Sequence, residues 1–514
     1  MGSGVRELLG IPFGNAPIGE GRFRRATAAP APDWSGLSNS YDTFGPAPIQ
    51  SRKGMLATAV PGMDPGPVSE DCLTLNVWSP AAVGERLAVM VWLYGGAFIV
   101  GGSAAPTYHG AKLAAEQNVV VVSINYRVGA FGFLDLRGVP GGDTADTNCG
   151  SHDQLLGLRW VHDHIAALGG DPDRVTVFGE SGGAGSIMHL LTTPGLTSIV
   201  RRAIVQSPGV DFTQRAATSS RVTAALLHES GATSVADLRA LTADEMLTAQ
   251  TNVANQLMFE VGTMVFHPVV DDVFVTTTPT AAVAAGATDD LDLLIGFTSD
   301  EMRLFPDPRA DALGRDGLAR WTRQYLTSRM AADPGSDIAE GLVGEYIDRA
   351  VGTNRPNGSD VWAQISTDGI MRLPVVRILD SRVGPAATFA YLFAWQARRT
   401  DRDVGAFHAI DLPFTFDTFE AGAVGDMPGW GEFIGIDDAG RAAGLALRTA
   451  WASFASTGDP TCAPTGQWPA YDATSRQTMV LDVFPHVVSD PLETERGWWE
   501  GLWNRNCRPP GVAL

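Results

Sequence analysis

Cysteine is scarce in this sequence, with four residues, Cys72, Cys149, Cys462 and Cys507, in a chain of 514. Thiols so few and so scattered exclude a disulfide framework or a zinc knuckle. The expected state is free and reduced, with Cys462 and Cys507 the one pair for which a bridge is considered. Long apolar runs are also missing. The longest, such as "LAVMVWLYGGAFIVGG", are broken by glycine and too short to span a bilayer. The opening "MGSGVRELLG" has neither the basic start nor the apolar stretch of a secretion leader, so a cytoplasmic location is expected. Positive charge is in deficit: a formal net charge of −20 would repel nucleic acid and an anionic membrane surface, and neither is expected as a partner. Internal repeats, low-complexity tracts and flexible linkers are absent. No H-E-x-x-H, zinc-ligand or phosphate-loop pattern occurs, so neither a metal nor a cofactor is expected.

What is present describes a folded chain with a large core, 45% hydrophobic and 18% charged. Buried strands are predicted at "LAVMVWLY" (87–94), "VVVVSINY" (119–126), "RVTVFGE" (174–180), "RAIVQS" (202–207), "LDLLIGF" (291–297), "TFAYLFAW" (388–395) and "TMVLDV" (478–483). Helical spacing appears between several of them, as in "SHDQLLGLRWVHDHIAAL" (151–168), which stops at Gly169 and Gly170. That alternation predicts an α/β chain with a mostly parallel sheet flanked by helices. Residues 1–514 read as one catalytic unit, with mostly helical insertions at about 212–285 and 302–385 roofing the sheet.

"RVTVFGESGGAG" fits G-x-S-x-G at Gly179, Ser181 and Gly183, directly after a predicted strand and directly before a helix. At so sharp a turn the serine is strained, side chains two positions away would collide, and the hydroxyl is lifted clear of the sheet. A glycine-rich turn with an incidental serine is the plain alternative. A nucleophilic serine needs a base and an acid, in the chain order Ser, Asp or Glu, His. "LDLLIGFTSDEMRLF" ends a strand with Asp300 and Glu301, and "GAFHAIDLPFTF" sets His408 in a loop. The other eight histidines lack such a setting; His162 and His164, two apart on one helix, point to different faces. "VMVWLYGGAFIVGG" ends a strand in Tyr94-Gly95-Gly96-Ala97, which resembles the glycine-rich oxyanion loop of esterases and lipases. The amides of Gly96, Ala97 and Gly182 are the expected oxyanion donors.

Seven stretches, "GIPFGNAPIGEGRFRR", "SEDCLTLNVW", "INYRVGAFGFL", "DQLLGLRWVHDHIAALGGDPDRVTVFGESGG", "FHPVVDD", "GFTSDE" and "FHAIDLPF", occur in the order found in the type-B carboxylesterase and cholinesterase family, which the sequence resembles over nearly its whole length. The resemblance implies an α/β-hydrolase fold and a Ser181, Glu301, His408 triad, selecting Glu301 over Asp300. It also implies pairing of Arg22 with Glu70 and of Arg127 with Asp171. The sequence departs from the cholinesterases in two places. "SRKGMLATAVPGMDPGPVSED" has no cysteine and no aromatic residue, so an aromatic box for a quaternary ammonium is absent there. Gly262 and Met264 stand where the acyl pocket carries aromatics, which implies a roomier pocket.

The expected reaction is ester hydrolysis through an acyl-enzyme on small to medium, uncharged, fairly apolar carboxylic esters, with turnover falling as pH drops through about 6–7. Phe98, Glu180, Met264, Phe266 and Phe414 are candidates for the pocket wall, and Ser207 and Asp411 for supporting roles behind the triad; for each, plain structural packing is the alternative. Two other readings are carried: the same chemistry on a carbamate, an arylamide or a xenobiotic ester, and a non-catalytic adhesion relative, against which all three triad residues argue.

Overall fold

The computed structural model describes residues 4–505 apart from 33, 35–40, 53–58, 83, 194, 262–263, 330–334, 352–356, 399–402 and 424–427. Among them ten strands build one sheet: β1 (Arg6–Pro12), β2 (Thr74–Ser79), β3 (Leu87–Leu93), β4 (Val120–Ile124), β5 (Gly170–Glu180), β6 (Arg202–Gln206), β7 (Asp292–Thr298), β8 (Thr388–Phe393), β9 (Gln477–Leu481) and β10 (His486–Ser489). Their spatial order is β1-β2-β4-β3-β5-β6-β7-β8-β9-β10. From β4 to β9 every neighbouring pair is parallel. Antiparallel pairing is confined to the two ends, β1 with β2, β2 with β4, and β9 with β10.

The continuous apolar strands are explained by burial on both faces. Along β3, Val89, Val91 and Leu93 enter one core, while Ala88, Met90 and Trp92 enter the other. All seven predicted strands are present. β1, β2 and β10 were not anticipated, because their patterns are interrupted: β1 contains Gly10 and ends in Pro12, β2 buries the polar Asn76, and β10 spans four partly exposed residues. The predicted helix at 151–168 runs over Cys149–His164, tightens into a 3-10 turn at Ile165–Leu168, and ends at Gly169, whose φ of +87° suits glycine.

Residues 212–285 carry the helices Ala216–Ser230, Val235–Ala240, Ala243–Val261 and Pro279–Ala284. Residues 302–385 carry Gly314–Arg329, Ser336–Val351, Gly358–Thr367 and Leu373–Ser381, the last two joined by a π-helical turn at Asp368–Arg372.

Arg22 meets Glu70 through two hydrogen bonds of 2.7 and 2.5 Å. Arg127, however, does not pair with Asp171. Its Nε and Nη2 each donate to Asp153 at 2.7 Å, and both residues are buried. Asp171 pairs with Arg86 at 2.8 Å and Arg174 at 3.0 Å instead. The sheet explains the correction: Arg127 follows the carboxyl end of β4, whereas Asp171 lies at the amino end of β5, and parallel strands hold those ends apart. Cys72, Cys149 and Cys462 are free thiols, and burial pushes Cys149 up to about 11. Cys507, the partner considered for Cys462, lies outside the described residues.

Candidate active site

β5 ends at Glu180 and a helix begins at Gly182, leaving Ser181 alone on the bend with φ +55° and ψ −123°. A non-glycine residue held there is strained by about 1–3 kcal/mol. The surroundings maintain it: Ser181 N donates to Gln206 O at 3.0 Å, and Gly185 N donates to Ser181 O at 2.8 Å. The flanking glycines make room for a neighbouring strand. A Cβ on Gly179 would sit 2.7 Å from Leu93 O, and one on Gly183 only 2.0 Å from it. The elbow is therefore pressed against the carboxyl end of β3.

From that end leads the turn Tyr94-Gly95-Gly96-Ala97-Phe98, with positive φ at Gly96 (+115°), Ala97 (+55°) and Phe98 (+63°). Three such residues in a row bend the chain sharply, and the turn lies against the start of the helix after Ser181. A Cβ on Gly182 would lie 3.1 Å from Ala97 N and 3.2 Å from Phe98 N, and one on Gly95 would lie 3.1 Å from Ser181 Cβ. Ala97 and Gly182, two of the expected oxyanion donors, are thus brought together. Gly96 is the hinge of the turn, its carbonyl accepting from Ile99 and Val100 at 3.0 and 3.1 Å. The closeness of the Phe98 amide was not anticipated.

A reciprocal clasp steadies the turn. Tyr94 Oη donates to Tyr126 O at 2.7 Å, Tyr126 Oη donates to Tyr94 O at 2.6 Å, and the rings stack 4.3 Å apart. Sequence reasoning missed this pair, whose only trace is a tyrosine just past each of two adjacent strands.

At the carboxyl end of β7, Glu301 is fully buried. One of its oxygens accepts from Ser207 Oγ at 2.6 Å and from Thr298 N at 2.7 Å. The other lies 2.6 Å from His408 Nδ1. Ser207, in a left-handed conformation just past β6, is therefore placed against Glu301. The second ring nitrogen of His408 lies 3.1 Å from Glu180 Oε1, in the residue preceding Ser181. The imidazole is thus held between a glutamate at the end of β7 and one at the end of β5.

Asp411 is buried and accepts from Gln206 Nε2 at 2.8 Å. Three carboxylates and one imidazole are consequently enclosed together, and their protonation is interdependent. Burial pushes Glu180 up to about 8, reinforced by Asp411 and Glu301 and opposed by His408. Burial likewise raises Asp411 to about 6, against the Gln206 hydrogen bond. For His408 burial acts downward, but Glu180 and Glu301 outweigh it and raise the imidazole to about 9.

This environment revises the expected pH behaviour. A histidine acting as a base must be neutral, so the acidic limb of kcat/KM belongs above the ordinary histidine value of about 6.5. A carboxylate favours the imidazolium, so Glu180→Gln lowers the His408 pKa and leaves the base neutral at lower pH. The limb therefore moves to lower pH in Glu180→Gln, as read from kcat/KM for p-nitrophenyl acetate between pH 5 and 9. A limb that stays in place would show that Glu180 does not act on the imidazole.

Phe98, Phe266 and Met264 share one apolar cluster with Phe131, Phe133 and Phe212, beside the glycine-rich turn. Ile370, from the π-helical turn, packs against the same cluster and was not anticipated. Gly262 lies outside the described residues. Phe414 is a correction: it is fully buried among Phe393, Trp395 and Phe419, in the core on one face of the sheet. The aromatic run after His408 forms the short helix Leu412–Phe416, which turns that ring away from the cluster.

A serine on a strand-to-helix elbow, a glycine-rich turn packed beside it, and a Glu/His pair at the carboxyl ends of a parallel sheet define the α/β-hydrolase class. Comparison with known proteins narrows this. Residues 1–497 match the carboxylesterase family, and the chain belongs to that family. It is 32% identical to para-nitrobenzyl esterase of Bacillus subtilis (strain 168) over 503 residues, 96% of this chain and 94% of the relative. It is 30% identical to phenmedipham hydrolase of Pseudarthrobacter oxydans, over 93% of this chain and 92% of the relative. Among solved structures, a carboxylesterase of Geobacillus stearothermophilus at pH 6.2 superposes with a TM-score of 0.82 at 33% identity, covering 97% of both chains.

Proposed function

We propose that this chain is a type-B serine carboxylesterase acting on small to medium, uncharged, fairly apolar esters. His408 takes the proton of Ser181 as the hydroxyl attacks the ester carbonyl, and Glu301 orients and stabilises the imidazolium. The amides of Gly96, Ala97 and Gly182 receive the oxyanion, with Phe98 N adjacent. The alcohol leaves with the proton from His408; water then repeats the cycle on the acyl-enzyme. The observation that carries this reading is the 2.6 Å approach of His408 Nδ1 to a glutamate whose other oxygen is already held by Ser207 and Thr298. An acid so constrained can present only one oxygen to the ring, which selects the tautomer with Nε2 free to accept a proton.

The apolar cluster of Phe98, Phe266 and Met264 supports uncharged, apolar acyl groups. The net charge of −20 supports a reading with neither nucleic acid nor a membrane surface as partner. Among the described residues no helix is long and apolar enough to cross a membrane. Free Cys72, Cys149 and Cys462 support a cytoplasmic location.

The test is a panel of p-nitrophenyl esters of increasing acyl length, with a p-nitrophenyl carbamate, an anilide and phenmedipham. Phenmedipham is included because a relative is named for its hydrolysis. Short to medium esters are expected to turn over fastest. If the carbamate or phenmedipham exceeds every ester in kcat/KM, the carbamate reading replaces this one; if nothing on the panel is cleaved, the esterase reading falls.

A further inference from the structure

Asp300, the neighbour of the buried acid, is absorbed by no part of the mechanism above, yet it is bonded to the loop that carries His408. Asp300 N donates to Ala406 O at 2.9 Å, and Ala406 N donates back to Asp300 Oδ2 at 3.1 Å. One step further along, His408 N donates to Glu301 O at 3.0 Å. These three bonds join residues 300–301 to residues 406–408, 106 positions away for the Asp300 and Ala406 pair.

The carboxylate is itself anchored. Ser299 Oγ donates to Asp300 Oδ2 at 2.7 Å, and the Nε of buried Arg303 lies 3.2 Å from Oδ1. Arg303 also reaches Asp360, at 3.4 Å, in the first turn of the insertion helix Gly358–Thr367. The loop is shaped to receive this side chain. Gly405 has φ +64°, and a Cβ there would fall 2.5 Å from Asp300 Cγ. Two independent features, the ladder of bonds and the side-chain-free cradle, thus converge on one carboxylate.

We infer that Asp300 is a positioning residue for the reaction: it clamps the backbone before His408 to the turn that holds Glu301, so that the ring arrives in line with the acid. The inference rests on the proposed esterase mechanism. A hydrogen bond of 2.6 Å between Glu301 and His408 tolerates little displacement, and a shift of about 1 Å in a catalytic group can cost on the order of 10²-fold in rate. Asp300 touches neither substrate nor the reacting atoms, so its loss reduces kcat and leaves KM in place. Asparagine keeps an oxygen to accept from Ala406 N and restores most of what alanine loses.

The experiment compares wild type with Asp300→Ala, Asp300→Asn and Gly405→Ala on p-nitrophenyl acetate, with kcat expressed per site titrated by an organophosphonate. Titration removes unfolded protein from the comparison, which a purely stabilising role would need in order to show an effect. Asp300→Ala is expected to lose about 10- to 10²-fold in kcat per titrated site with unchanged KM, and Asp300→Asn to recover most of it. If Asp300→Ala yields no folded protein, Gly405→Ala decides, since it keeps every site side chain while pushing the loop off Asp300; the same selective loss in kcat is expected. Wild-type kcat per site in Asp300→Ala or Gly405→Ala, or a loss in Asp300→Asn as large as that in Asp300→Ala, overturns the inference. Failure of the esterase reading itself would appear separately, as wild-type protein that neither titrates nor hydrolyses.

Discussion

Ser181→Ala is expected to lose on the order of 10⁵- to 10⁶-fold in kcat for p-nitrophenyl acetate and to take up no organophosphonate, while remaining folded. The size of the effect follows from the geometry. The hydroxyl stands on a residue at φ +55°, between glycines that admit the end of β3 and beside the Ala97 and Phe98 amides. Water would have to replace it without its fixed position, and only the proposed oxyanion donors would remain to lower the barrier. Stability is not expected to suffer, because the substitution removes one oxygen from a half-buried site and leaves the Ser181 backbone bonds to Gln206 and Gly185 intact. The check is single-turnover labelling by mass spectrometry alongside steady-state kinetics. A variant that still takes up one equivalent of label would place the nucleophile elsewhere.

Glu301→Gln is expected to lose about 10⁴-fold in kcat with a near-native fold. Glutamine has the same shape, and its carbonyl oxygen can still accept from Ser207 Oγ and Thr298 N, which lie 2.6 and 2.7 Å from the present carboxylate. Its amide NH₂ then faces His408 Nδ1, so that the nitrogen must accept and the proton moves to Nε2, the position needed to receive the serine proton. The negative charge that stabilises the imidazolium is also gone. The neighbouring Asp300→Asn change is expected to be far milder, because that carboxylate holds backbone and not the ring. Measuring the two amides side by side, per titrated site, separates the acid from its neighbour; a larger loss at Asp300 than at Glu301 would reverse the assignment.

Much of the site was legible because it is local. G-x-S-x-G between a strand and a helix is a property of the twelve consecutive residues 174–185, and the glycine-rich turn after β3 is another. Choosing between Asp300 and Glu301 was not local. Both are carboxylates just past the same strand, and only the resemblance to a family favoured Glu301; the contacts of Ser207, Thr298 and His408 supply the physical ground. Glu180 shows the same limit. Its identity is obvious in the sequence, but its place against the free side of the imidazole arises from the packing of β5 beside the end of β3 and from a loop more than two hundred residues later. Phe414 was misjudged because an aromatic run after a loop histidine has no direction until the helix that carries it is packed. Asp153 was overlooked as the partner of Arg127 because the competing Asp171 is distinguishable only by which end of a parallel strand it occupies.

The sequence by itself determined the alternation of buried strands and helices, the strained serine and its glycine neighbours, and the acidic, thiol-poor character of the chain, since periodicity, steric freedom and net charge are carried by each residue or by a short run of them. Only the tertiary structure decided which carboxylate meets the histidine, which arginine finds which aspartate and which aromatic ring borders the site. Those are choices among chemically equivalent side chains, and they are settled by distance and by the desolvation that accompanies burial, neither of which exists until remote segments are folded against one another.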